Sequence, residues 1–103
     1  MNDLTSKQQT VLLAQECTIY EVADLKEQLN LLIEDNMNIN FDLSDVVLID
    51  ASVVQLLISI KTEMKVKELS FSIEAISQNA QEFISSIYCT ELCVTNDVGE
   101  QNG

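Results

Sequence analysis

The sequence predicts an α/β fold: a mixed sheet with three helices covering one side of it. Three observations carry this. Two stretches, Asn38-Ile39-Asn40-Phe41-Asp42-Leu43 and Glu68-Leu69-Ser70-Phe71-Ser72-Ile73-Glu74, alternate apolar and polar residues. Each therefore has one face to bury and one to leave wet. Around them run segments whose apolar residues recur every three or four positions, the spacing of one side of a helix. Helices between successive strands return the chain to the same sheet and make some strand pairs parallel.

Each element has a local reason. Residues 1–9 are polar and predict loose order with at most a short edge strand. Residues 10–14 are a strand with apolar residues on both sides, read as central or covered on both faces. Thr18 with Glu21 three residues on is a capping-box pattern. From there Val22, Leu25, Leu29 and Leu32/Ile33 form the stripe of a helix of about four turns, ending near Glu34. Ser44-Asp45 turns the chain after the first alternating strand, and residues 46–49 are a short buried run. Val53, Leu56/Leu57, Ile60 and Met64 are the stripe of a second helix. Val54 and Ile58 fall outside that stripe, which asks for a neighbouring helix or a protein partner. Ser77 caps a third helix with Ala80, Phe83/Ile84 and Ile87 on its apolar side. Residues 92–94 read as a last short strand, and 97–103 as a loose tail.

Composition bounds the function. The 103 residues make one domain, with 47% hydrophobic and 21% charged residues. No apolar run reaches the ~18 residues of a membrane span. No basic-then-apolar leader opens the chain, so a cytoplasmic protein is expected. The net charge of -12 repels nucleic acid and anionic membranes and favours a basic protein partner. Cys17, Cys89 and Cys93 are an odd set of three, read as buried free thiols. With no His, a zinc site lacks ligands and the usual triads lack their base. The two glycines, Gly99 and Gly103, exclude a phosphate loop and a dinucleotide fingerprint. The expectation is a non-enzymatic protein with no cofactor and no metal.

The informative place is the start of the second helix. Asp50 as N-cap accepts from the helix amides and meets the dipole favourably. A helix start also attracts anions, and a hydroxyl there can carry a phosphate.

The stretch Phe41-Asp42-Leu43-Ser44-Asp45-Val46-Val47-Leu48-Ile49-Asp50-Ala51-Ser52, with Val54-Gln55-Leu56-Leu57 after it, resembles the hallmark of STAS domains. That family includes bacterial anti-sigma-factor antagonists. Its pattern is an apolar strand, Asp-Leu-Ser, a short apolar run, then Asp-Ser/Thr-Ser/Gly-Gly and a Leu-rich helix. The likeness spans residues 11–94, with Ala75-Ile76-Ser77 also similar. It implies a four- to five-stranded sheet, helices packed on one face, and a switch module without catalysis. In the family the hydroxyl residue after the Asp is phosphorylated by a partner kinase that is itself an anti-sigma factor, and this breaks their complex.

Here Asp50 matches, but the phosphorylation position falls on Ala51, which has no hydroxyl. Ser52 follows it, Val53 replaces a usual Gly, and Thr18 stands where an acid is common. Either Ser52 has taken over the phosphate, or the module is permanently binding-competent, which Ala51 favours. The resemblance thus implies a signal-transduction protein with a partner surface at Thr18, Asp50, Ala51, Ser52, Val53, Val54 and Ile58. The expected partner is a kinase-like anti-sigma factor. The alternatives by resemblance are the ATPase of a lipid-transport ABC system and a signalling-adaptor role.

Overall fold

A computed structural model describes residues 7–88. In chain order they form β1 (Gln8–Leu12), β2 (Glu16–Cys17), α1 (Ile19–Glu34), β3 (Asn38–Leu43), β4 (Leu48–Ile49), α2 (Ala51–Val66), β5 (Phe71–Ile76) and α3 (Gln78–Tyr88). The three helices are those expected. The strands differ from the single mixed sheet of four to five strands: β1, β3 and β5 form one sheet in the order β1-β3-β5, while β2 and β4 pair separately. All three pairings are parallel. The short strands before the two long helices are too brief to join the main ladder, so they make their own. The strand expected at residues 92–94, the tail, Cys89, Cys93 and the Ile87 side chain lie outside the described residues.

β3 is the middle strand because it can bury one whole face. Ile39, Phe41 and Leu43 are buried and share one core with Leu29 and Ile33 of α1, Val53, Leu57, Ile60 and Met64 of α2, and Ala80 and Ile84 of α3. All three helices therefore cover the same face. The other face carries Asn40, whose Oδ1 accepts from Ser72 Oγ (2.7 Å) and whose Nδ2 donates to Glu74. Among the described residues β1 has a neighbour, β3, on one side only, where the sequence suggested a central or doubly covered strand; Gln8 and Gln9 belong to its ladder, and Leu12 is exposed on the outer face. Residues 46–49 are not a buried run either: Val46 and Ile49 are buried, Val47 and Leu48 exposed.

β5 departs from the sequence pattern for a definite reason. Phe41 pairs with Ile73, but Asp42 pairs with Ala75, so Glu74 is an extra residue in a bulge. The bulge shifts the alternation by one. Ile73 and Ile76, three apart, can then both turn toward the core, Ile76 beside Leu43. The strand thus starts at Phe71 and runs on to Ile76, later than alternation alone places it.

α1 and α2 end alike. Met37 N–H donates to Leu32 C=O (3.0 Å) and Asn36 N–H to Ile33 C=O (2.9 Å); Leu69 N–H donates to Met64 C=O (2.8 Å) and Glu68 N–H to Lys65 C=O (3.1 Å). Both are Schellman endings, which need a left-handed residue. Asn36 (φ 59°) and Glu68 (φ 62°) supply it. Asn tolerates that region; Glu, with its Cβ, does so at a cost. Glu68→Gly should therefore raise stability by about 0.5–1 kcal/mol, net of the freedom glycine adds to the unfolded chain. An unchanged or lowered urea midpoint would contradict the assignment of strain to that residue.

Candidate functional site

Two helices start side by side because two short strands deliver them there. β2 and β4 pair in parallel, Glu16 opposite Leu48 and Cys17 opposite Ile49. Gln15 C=O extends the contact by accepting from Val47 N–H (2.8 Å) and Leu48 N–H (3.0 Å). Cys17 and Ile49 point into the core, while Glu16 and Leu48 point out. The next residue on each strand, Thr18 or Asp50, is the N-cap of the helix that follows.

Each start is closed by local side chains. In α1 the capping box is complete: Glu21 Oε1 accepts from Thr18 N–H (2.7 Å) and Thr18 Oγ1 (2.9 Å), while Thr18 Oγ1 accepts from Tyr20 N–H (3.4 Å). In α2, Asp50 Oδ1 accepts from Ser52 Oγ (2.6 Å) and Val53 N–H (3.3 Å). The second oxygen does something sequence spacing does not foretell. Asp50 Oδ2 accepts from Ile19 N–H of α1 (2.9 Å). One carboxylate thus serves two helix N-termini, whose amides and dipoles both favour negative charge.

The ionisation of neighbouring groups follows. The Ser52 hydroxyl is the main cause holding Asp50 below the ordinary carboxylate value; desolvation opposes it, and the Ile19, Val53 and Ser52 amides add to the lowering. Burial, and then the charges of Glu21 and Asp50, push the Cys17 thiol up to about 11. Cys17 is therefore an inert core group at neutral pH, as its sequence context suggested. Nearby, Asp42 Oδ1 accepts from Ser44 N–H (2.9 Å) and Ser44 Oγ (2.6 Å), which closes the turn after β3 and lowers the Asp42 pKa. Ser77 Oγ caps α3 through Ala80 N–H (3.1 Å) and donates to Val46 C=O (2.6 Å), tying the third helix start to the same end of the sheet.

The residues singled out from sequence separate into two sets. Thr18, Asp50, Ala51 and Ser52 come together, with Ala51 exposed at the first position of α2. Val53 and Val54 are 0% exposed and cannot touch a partner in this structure. α2 packs against both α1 and β5, so its buried arc is wide and takes in Val54. Ile58 lies half-buried two turns along α2, away from the junction. Missed by sequence reading are Ile19 (62% exposed), Tyr20 (89%) and Leu48 (52%), which flank the two caps. The signal was present for Tyr20, an aromatic residue opposite the Val22-Leu25-Leu29 stripe of its helix.

The chemistry available is that of a shaped surface. The Asp50 carboxylate and Ser52 hydroxyl hold each other, and Ala51 offers only a methyl group. Among the described residues no group of three or more His, Cys, Asp or Glu could hold a metal ion.

Because Asp50 serves two helices, Asp50→Ala should cost about 2 kcal/mol, the upper end for an N-cap. The pH dependence has a definite sign. The folded pKa of Asp50 lies below the unfolded one, so its contribution is complete above the unfolded value, about 3.9, and is lost as pH falls through the folded value. Asp50→Asn should therefore narrow its stability gap to the wild type as acid is added below about pH 4, read from urea midpoints. A gap constant with pH would show that the charge of Asp50 is not what holds the junction.

Comparison with protein families finds a match to the family described as Mlab, STAS domain, over residues 1–92. Comparison with curated proteins finds no match. The expected hallmark, Asp42 to Leu57, lies inside the matched span and builds the junction just described. With most of its length matched, the chain belongs to the STAS domain family.

Proposed function

We propose that this chain is a non-enzymatic regulatory module that binds a protein partner at the paired helix starts, in the manner of an anti-sigma-factor antagonist. The carrying observation is the state of the junction. The exposed position after Asp50 is Ala51, and the one hydroxyl beside it, on Ser52, is held at 2.6 Å by Asp50. A surface so fixed stays ready to bind without a phosphate to remove. Family membership supports the general role in protein binding. The charge of -12 supports a basic partner. No helix among the described residues is long and apolar enough to cross a membrane. We read the protein as bacterial and cytoplasmic.

A phosphate-free junction equally suits a subunit that stays bound to the ATPase of a lipid-transport ABC system, and the same observation favours that second reading. Affinity purification of the tagged chain from its native host, with identification of the co-purifying chain, separates the two. A kinase-like anti-sigma factor supports the first; an ATPase as the partner overturns it in favour of the second.

Two substitutions test the surface itself. Ala51→Glu places a carboxylate at a helix start, which costs no stability, yet it should weaken the captured complex by about tenfold or more by leaving a charge to desolvate. Ser52→Ala should leave affinity within about twofold, since the hydroxyl acts inward, while costing about 1 kcal/mol of stability. Phosphate found on Ser52 after incubation with the partner and ATP would overturn the permanently competent state.

A further inference from the structure

We propose that Ile19, Tyr20 and Leu48 are the apolar centre of a docking surface for an amphipathic helical segment of a partner protein, apolar along its middle and lined with Lys or Arg at its margins. The inference rests on the protein-binding reading above and names the chemistry of the partner.

Seven large hydrophobic residues are exposed among the described residues, and Ile19, Tyr20, Val47 and Leu48 are four of them. Leu12, Leu31 and Val66 make up the rest, on separate elements. The four stand on the two backbone segments that meet at the junction. Leu48 pairs with Glu16, Val47 N–H binds Gln15 C=O, and Ile19 N–H binds the Asp50 carboxylate. The backbone beneath the patch is thus held at several points, so little ordering is needed when a partner binds. Four of the seven exposed large hydrophobic residues thus fall at one junction, where singly scattered ones would need no explanation. Tyr is one of the residue types enriched at the energetic centre of interfaces.

Charge selects the occupant. The exposed acids Glu16, Asp24 and Asp45 border the patch: Glu16 opposite Leu48, Asp24 one turn beyond Tyr20, Asp45 just before the β4 run. Three of the five basic residues, Lys61, Lys65 and Lys67, stand in the second half of α2 and at its C-cap. Lys61 is about 15 Å along the helix from Ala51. An apolar centre with an acidic border complements an apolar stripe with a basic border. A second copy of this chain would bring the same acidic border against this one, which argues against self-association.

The test titrates the full isotope-labelled chain with a synthetic amphipathic helix, leucines along one face and lysines at its margins, and with the same helix carrying glutamates instead. The lysine-bordered helix should move the amide signals of Ile19, Tyr20, Leu48 and Ala51, with affinity falling as salt rises. The glutamate version should bind about tenfold or more weakly. Tyr20→Ser alone, at an exposed position, should weaken binding by about tenfold or more without lowering the urea midpoint, and Tyr20→Ser with Leu48→Ser should weaken it by at least as much. Shifts mapping elsewhere, equal affinity for both helices, or full affinity in the double variant would overturn the proposal. So would a concentration-dependent dimer abolished by the double variant, since the occupant is then a second copy. A captured partner that still binds the double variant but not Ala51→Glu would sink this inference and leave the protein-binding reading standing; a partner indifferent to both would sink the two together.

Discussion

The Asp50 carboxylate is the contact on which the rest of this end of the molecule depends. Two helices that start side by side bring two sets of unpaired amides and two positive dipole ends into one place. Unrelieved, they repel. One carboxylate relieves both, with one oxygen on its own helix and the other on the neighbour's first amide. Strands β2 and β4 can then be only two residues long. They align the caps, and the carboxylate holds the helices together.

The same contact explains how the apolar core is closed. α1 and α2 each have an apolar stripe to bury, and the sheet offers one face, made by Ile39, Phe41 and Leu43. Two helices over one narrow sheet must lie beside each other, so α2 buries a second flank against α1. Val54, an apolar residue outside the main stripe, is likewise core and not surface. Cys17 and Ile49 sit beneath the paired caps as its lid. Burying the thiol keeps it protonated and unreactive, so the junction contains no nucleophile from that side.

What was legible in the sequence is what local chemistry decides. Alternation found β3, the Thr18-Glu21 capping box placed the start of α1, Asp50 the start of α2, and Ser77 the start of α3. Each of those signals is contained within a few residues. What was not legible depends on partners distant in the chain. The place of β1 beside β3 is set by which strands pair. The bulge at Glu74 is set by the need to turn both Ile73 and Ile76 inward. The bond from Ile19 N–H to Asp50 spans 31 positions and leaves no trace in either segment. The exposure of Ile19, Tyr20 and Leu48 likewise follows only once the two helix starts are seen together. The site was therefore half visible: its polar caps could be read, but not its apolar border.

The geometry also distinguishes two ways a phosphate could act at such a junction. At position 51 the side chain is exposed, and a phosphate there would alter the outer surface while leaving Asp50 and both helix starts as they are. At Ser52 the hydroxyl donates to Asp50 Oδ1, so a phosphate would remove that donor and set about two negative charges against the carboxylate. The repulsion would fall on the one group that joins α1 to α2, and the junction would yield along with the surface. A switch at position 51 is compatible with a stable fold in both states; a switch at Ser52 is coupled to the integrity of the fold. Here the first position is Ala51, which offers no hydroxyl, and the Ser52 hydroxyl in the second is engaged by Asp50.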